Sequence, residues 1–328
     1  MPFAIVLHRY GSSDELRFEE VPRPALASEE LRLRVRATAV NRTDVEIRAG
    51  HWPIRKDAPF PYVPGVEAVG NVIEVGGRIR DFALGDTAIT MMMGMGGVRA
   101  ERPGGYAEEV VVPAVHCAAV PPDIDPVALA SFGLAGITAL NGLRIAGAAA
   151  GRRILVTGAG GGVGACAICI GKALDATMLA MTSDSAKSAS LRDLGAATVL
   201  CIPRGEAAEL PEVDGVVDTV GGAGFGSVVA ALAPGGRLCL VGGAGGEAVT
   251  FSAWELMHEI VLTGWSSEKL DGPGLRRDIA TLTRLLREGS LRPPPATRFH
   301  LSEAGAAHKA MESGAHVGRL LLLPDDSM

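Results

Sequence analysis

The stretch Ile154-Leu-Val-Thr-Gly-Ala-Gly-Gly-Gly-Val-Gly-Ala165 decides how the second half of this chain folds. Its opening residues, Ile154 to Thr157, form a short apolar run that reads as a buried strand. Glycines follow, and Ala165–Leu174 continues with the small and apolar residues of a packed helix. Strand, glycine turn and helix in that order make a cradle for a pyrophosphate. The glycines let the backbone turn tightly and approach the ligand. The first N–H groups of the helix, at its positive dipole end, face the phosphates. Gly158, Gly161, Gly162, Val163 and Gly164 are the residues expected at that contact. A glycine-rich turn merely packed under a sheet is the competing reading, and the flanking strand and helix weigh against it.

Downstream the rhythm repeats. Apolar strand candidates recur near 154–157, 177–181, 198–202, 215–218, 237–241 and 260–264, with helical patterns in several of the intervals. Such alternation predicts an α/β fold, a doubly wound parallel sheet of six strands in a Rossmann domain over residues 124–265. Upstream, residues 1–123 read as β-rich, with strands expected at 4–8, 31–40, 66–75, 86–91 and 106–112. In Leu31–Val40, leucine or valine alternates with Arg32, Arg34 and Arg36, the period of a half-exposed strand. The Pro-rich Val120–Pro126 closes this part. Residues 266–328 hold helical patterns at 274–288 and 302–313 and a strand-like Arg319–Leu323, and have the size of a return to the first domain. Met91–Gly97 reads as a Met- and Gly-biased loop.

Bulk properties exclude several classes. The chain has 328 residues, 48% hydrophobic and 21% charged, with a net charge of −6. The acidic balance gives no footprint for nucleic acid or a membrane surface. Apolar runs break well before the ~20 residues of a membrane span. The N-terminus starts in strand-like sequence without a signal-peptide layout. Five cysteines, Cys117, Cys166, Cys169, Cys201 and Cys239, lie mostly in apolar runs, which suits reduced thiols and a cytoplasmic location.

The choice of dinucleotide turns on the end of the second parallel strand, where NAD-binding versions place an acid on the ribose. Here the run Thr177–Met181 leads to Thr182 and Ser183, with Lys187 beyond. Small polar residues followed by a lysine suit a 2′-phosphate, so NADP(H) is favoured. Asp184 keeps NAD(H) open, because it lies close to the expected acid. Val241 and Gly242, at the end of a later strand, are expected to offer backbone to the nicotinamide amide.

The order of these parts resembles the medium-chain dehydrogenase/reductase family over almost the whole chain. The blocks behind that are Pro64-Gly-Val-Glu-Ala-Val-Gly-Asn-Val-Ile-Glu-Val-Gly76, Phe82-Ala-Leu-Gly-Asp86, Ala39-Val-Asn-Arg-Thr-Asp44, Gly136-Ile-Thr138 and the glycine loop. The resemblance implies a GroES-like catalytic domain for the β-rich part. Zinc alcohol dehydrogenases of the family hold a catalytic metal with Cys, His and Cys. This chain carries Asn41, Val66 and Leu134 there, none of them an ordinary zinc ligand, and the structural-zinc cysteines are missing too. Cys166 and Cys169 read as core residues of the helix behind the loop. No metal is expected.

Zinc-free members resemble quinone oxidoreductases and enoyl reductases. Hydride delivery to a polarised C=C or quinone needs hydrogen-bond donors rather than a Lewis acid. The resemblance makes Asn41, Asp44, Trp52 and Thr138 the candidate catalytic residues. Asn41 also suits a turn after the strand 31–40, and Asp44 suits the N-terminal cap of a short helix. Trp52 stands where several enoyl reductases carry a tyrosine, and an indole N–H is a poor acid. Thr138 is expected near the nicotinamide, though its hydroxyl also suits a bond to its own helix. The implied activity is NADPH-dependent reduction of quinones or α,β-unsaturated carbonyl compounds by a homodimer acting on a small molecule, without nucleic-acid or membrane partners. A zinc-free alcohol or ketone dehydrogenase and a non-catalytic NADPH-binding or RNA-binding relative remain open.

Overall fold

The computed structural model describes residues 1–51, 60–97 and 101–324. The chain divides into two compact units: residues 1–134, 267–287 and 295–328 form one, and residues 135–266 and 288–294 the other. Among the described residues, no helix is long and apolar enough to cross a membrane.

The second unit holds a six-stranded sheet in which every pairing is parallel. From edge to edge the strands are Thr198–Cys201, Thr177–Thr182, Arg153–Val156, Val213–Asp218, Leu232–Leu240 and Val261–Gly264. The order reverses between Arg153–Val156 and Val213–Asp218, and the crevice beyond the carboxyl ends of such a pair is where this fold binds dinucleotides. Leu155, Leu179, Val216, Leu238 and Phe225 are buried in one cluster on the sheet. The helix Gly162–Ala173 buries eight consecutive residues, Gly164 to Gly171, which its small side chains permit. The sulfur of Met178 sits where a side chain at Gly171 would lie.

The first unit is built on a seven-stranded sheet. Its main path runs Ala296–His300, Arg319–Leu323, Glu30–Ala39, Glu67–Val75, Thr87–Met91 and Cys117–Val120, and Glu109–Pro113 pairs with Glu30–Ala39. Leu31, Leu33 and Val35 are fully buried and Arg34 is exposed, as the alternation requires, but Arg36 is half-buried and Arg32 is buried, its guanidinium donating to Glu74 and to Pro24 O. The C-terminal strand joins antiparallel to Glu30–Ala39, with Leu321 opposite Ala39 and Leu322 opposite Thr38. This return sets Arg319 beside the turn at Asn41.

Several details differ from the sequence reading. Leu16–Glu20 and Ala296–His300 are strands outside the segments expected from sequence; both are five residues long and pair with neighbours, Phe3–Leu7 and Arg319–Leu323. The units divide after Leu134, where the sequence rhythm changes near 123. The helix Pro126–Ala130 packs on Glu30–Ala39 and Glu67–Val75 and so stays with the first unit. Met92–Met95 is not an open loop but a short 3-10 helix with Met92 and Met95 buried.

Candidate active site

In the first unit, the strand Glu30–Ala39 ends and the chain turns into the helix Arg42–Ala49. Asn41 is the residue before that helix, and Asp44 accepts the Asn41 N–H at 2.8 Å on Oδ2. The other Asp44 oxygen accepts the Val66 N–H at 3.0 Å. Asp44 is wholly buried, and burial first, with the charge of Glu67 adding and bonds from Asn41 and Val66 opposing, pushes its pKa up to about 7. The Asp44 carboxylate therefore caps the helix and fixes the Val66 backbone.

Asn41 does not point its amide into open space. Its Nδ2 donates to Glu67 Oε1 at 2.7 Å and to Ala39 O at 3.2 Å, so both amide hydrogens are committed. Its Oδ1 accepts from Arg319 Nη2 at 3.2 Å, and the same nitrogen lies 2.9 Å from Glu67 Oε1. Arg319 and Glu67 form a buried ion pair with side-chain exposures of 2% and 3%. The remaining Glu67 oxygen accepts the Leu134 N–H at 2.6 Å, a carboxylate at the positive end of the helix Gly133–Ile145. A Cβ at Gly133 would collide with that carboxylate, and its φ of 22° also favours glycine.

The positions of Asn41, Val66 and Leu134 thus converge on two carboxylates. Each supplies a donor to Asp44 or Glu67 rather than a ligand to a metal. An amide, an aliphatic side chain and another aliphatic side chain do not fit zinc. Among the described residues, no group of three His, Cys, Asp or Glu side chains could hold a metal ion. Behind this network, Tyr106 Oη lies 3.1 Å from His308 Nε2, both side chains fully buried. Trp52 lies outside the described residues.

In the second unit, the glycine turn has the form a pyrophosphate needs. The strand Arg153–Val156 ends, Gly158 adopts φ 56°, and Gly161 precedes the helix Gly162–Ala173. A Cβ at Gly164 would sit 2.5 Å from Gly158 O, so only glycine lets the helix start this close to the turn. Val163 and Gly162 form the first turn, where N–H groups lack intrahelical partners. A side chain at Gly160 would meet Lys187 Cδ at 2.8 Å, which lays the lysine stem across the turn.

Thr182 ends its strand, and its hydroxyl accepts the Asp184 N–H at 3.2 Å. Asp184 itself caps the short turn Ser185–Lys187, accepting the Ala186 N–H at 3.0 Å. Ser183 is exposed and Lys187 is half-buried. Burial lowers the Lys187 pKa, Asp184 opposes that, and Arg204 lowers it further, so a second cation stands near the first. Nothing in the sequence marked Arg204, which follows the strand Thr198–Cys201. Thr138 is buried on its helix at 8% exposure. Val241 follows the strand Leu232–Leu240 and donates its N–H to Asp218 O at 2.8 Å, with Gly242 next to it.

Of two further residues central to this geometry, Glu67 stands beside the vacated zinc position and reads from the sequence as a structural ion pair or hydrogen-bonded carboxylate, whereas Arg319 is not among the sequence candidates. Arg319 did leave a signal: it is the lone charge heading Arg319-Leu-Leu-Leu-Leu323, and a charge in a buried strand needs a partner.

Residues 27–122 match the alcohol dehydrogenase GroES-like domain, and residues 194–322 match a family described as zinc-binding dehydrogenase. The chain is 30% identical to a 2-haloacrylate reductase of a Burkholderia species, over 99% of this chain and 99% of that one. A solved mycobacterial quinone oxidoreductase is 27% identical, with a TM-score of 0.84 over 99% of this chain and 100% of that one. A mycobacterial structure in complex with NADPH is 28% identical, with a TM-score of 0.83 over 99% and 100% of the two chains.

Proposed function

The chain is an oxidoreductase belonging to the medium-chain dehydrogenase/reductase family, and from that premise we propose that it uses NADPH to reduce quinones or α,β-unsaturated carbonyl compounds without a metal. The observation behind this reading is the closed network around Asp44 and Glu67. The three positions that hold zinc in metal-dependent relatives here supply hydrogen-bond donors to two carboxylates. Without a Lewis acid, alkoxide chemistry loses its usual stabiliser, whereas a conjugated acceptor needs only hydride and a proton. The 2-haloacrylate reductase and the quinone oxidoreductase among the relatives support the acceptor class, and the NADPH complex supports the cofactor.

The bound dinucleotide supplies the hydride. Gly158, Gly161, Gly162, Val163 and Gly164 hold its pyrophosphate in this reading, and Thr182, Ser183 and Lys187 hold the 2′-phosphate, with Arg204 adding charge. Thr138, Val241 and Gly242 line the nicotinamide. Asn41 and Asp44 act by fixing the wall of the acceptor site, since the Asn41 amide hydrogens and both Asp44 oxygens are already bonded. The proton that completes reduction comes from solvent.

Loss of NADPH absorbance would be followed with a quinone, an enone, a 2-haloacrylate and a simple ketone as separate acceptors. Turnover of at least one conjugated acceptor or quinone, with the ketone at least about tenfold slower in kcat/KM, is the expected result. Oxidation of NADPH by the ketone alone would replace this reading with a zinc-free ketone reductase.

A further inference from the structure

One carboxylate lies buried beneath the glycine turn and ties together two segments, the start of that turn and the loop after its own strand. Asp218 ends the strand Val213–Asp218 and is 1% exposed. Its Oδ1 accepts the Thr157 hydroxyl at 2.5 Å, the Val220 N–H at 2.9 Å and the Gly221 N–H at 3.2 Å. Oδ2 shares the Gly221 N–H at 3.2 Å. The Thr157 hydroxyl, held by that carboxylate, accepts the Thr219 N–H at 3.0 Å, and the Thr219 hydroxyl donates back to Thr157 O at 2.9 Å. This double exchange fixes the residue just before Gly158. Thr219 also fills the space beside Gly158, where any Cβ would collide with its hydroxyl.

The turn that the carboxylate holds, 218–221, meets the other side through its backbone. Val241 donates to the Asp218 carbonyl at 2.8 Å, and Gly245 donates to Val220 O at 2.7 Å. A Cβ at Gly242 would sit 2.8 Å from Thr219 O, so that loop packs directly on the Asp218 turn. The adenosine end is held differently: Ala159 donates to Met181 O at 3.0 Å, and Thr182 and Asp184 bond each other. None of those bonds passes through Asp218.

We propose that Asp218 is a positioning residue for the dinucleotide, holding the turn 157–161 through Thr157 and, through the backbone of its own turn 218–221, the loop 241–246, while leaving the 2′-phosphate end to Thr182 and Lys187. The inference rests on reading the glycine turn as the pyrophosphate cradle. All three of its partners are donors, so the position calls for a group that only accepts. Asparagine keeps Oδ1 for the three donors but turns an NH₂ toward the Gly221 N–H that Oδ2 shares, so it loosens that one contact, whereas alanine leaves all three donors without their acceptor.

The test measures binding, not turnover. NADPH is titrated by its fluorescence, and adenosine 2′-monophosphate, which lacks the pyrophosphate and the nicotinamide, is measured by calorimetry. Asp218→Ala is expected to weaken NADPH at least tenfold while adenosine 2′-monophosphate changes less than twofold, with Asp218→Asn between wild type and Asp218→Ala. Thr157→Val removes only the hydroxyl link and decides the matter if the Asp218 variants fail to fold; it is expected to weaken NADPH at least threefold and leave the nucleotide fragment unchanged. Equal weakening of both ligands would make Asp218 merely structural, and unchanged NADPH affinity would remove the role. A folded wild-type protein that binds neither ligand would overturn the cradle reading and this inference with it. Wild-type binding of both, with variants indistinguishable from it, would overturn the inference alone.

Discussion

Around Glu67 the first unit holds its geometry with a buried ion pair, whereas around Gly158 the second unit presents backbone amides and close glycine contacts, with the Asp218 carboxylate beneath them bonded to neutral donors. The first arrangement gathers Asn41, Glu67, Leu134 and Arg319 from four separate segments, and the bond from Arg319 to Asn41 spans 278 positions. The strand, turn and helix of the second are contiguous from Arg153 to Ala173, with Asp218 and Thr219 supporting them from 61 and 62 positions away. A buried charge network fails when one partner is removed, because the other remains uncompensated. A backbone cradle fails when its opening is filled or its charge removed, and the fold survives. Damage to the first therefore registers in stability, and damage to the second in ligand affinity.

Arg319→Met is the strongest way to break that contrast. Methionine fills similar space but leaves Glu67 Oε1 with the Asn41 amide alone, in a site with 3% side-chain exposure. Removing one member of a buried pair costs about 3–5 kcal/mol, so the urea midpoint should fall sharply. A loss below about 1 kcal/mol would mean that the pair is a bystander and that the two units do not differ as described.

The same contrast predicts a pH signature in the first unit. Burial, reinforced by the Arg48 guanidinium, pushes the His308 pKa down to about 3 from 6.5. As pH falls below 6.5 the unfolded chain gains a proton that the folded chain refuses. The stability from His308 is thus complete above 6.5 and is lost progressively toward 3. Asp44 runs the other way: with its pKa raised to about 7, its contribution is complete below about 4 and is lost as pH rises through 7. His308→Gln keeps a donor near Tyr106 Oη and removes only the first effect. Between pH 6.5 and 5 the variant should gain about 2 kcal/mol relative to wild type, read from urea unfolding at both values. A constant gap between the two proteins would show that His308 is protonated in the fold.

How far each site could be read in advance follows from how each is made. The glycine turn was legible because strand, turn and helix are adjacent in sequence, and the six parallel strands followed from the alternation around it. The charge network was not. Asn41 and Asp44 were marked by resemblance, but their distant partners lie 22 to 278 positions away, brought in by sheet pairings that no local period encodes. Val66 and Leu134 were legible as positions without a ligand. That their backbone N–H groups would cap two carboxylates was not, because a backbone donor has no letter in the sequence. Leu16–Glu20 shows a related limit at the level of the fold: Leu-Arg-Phe-Glu alternates over only four residues, too short a period to mark a strand by itself, and Phe3–Leu7 pairs with it along its whole length.

The smallest expected effect sharpens the second half of the comparison. Lys187 crosses the glycine turn, with its Cδ 2.8 Å from where a Gly160 side chain would begin, and Arg204 adds to the positive field there. Asp184, the acid close to where NAD-binding versions place theirs, accepts the Ala186 N–H on Oδ1. Charge at this end therefore favours a 2′-phosphate over a bare hydroxyl. Lys187→Ala should weaken NADPH about tenfold, near 1.4 kcal/mol, and NADH less than twofold. The unfolding midpoint should stay within about 0.5 kcal/mol of wild type, because a half-buried lysine stem carries little of the core. Fluorescence titration with both dinucleotides separates the outcomes. An equal loss for the two would assign Lys187 to the pyrophosphate, and a fall in stability without a change in preference would mean that the two units respond to lost charge in the same way.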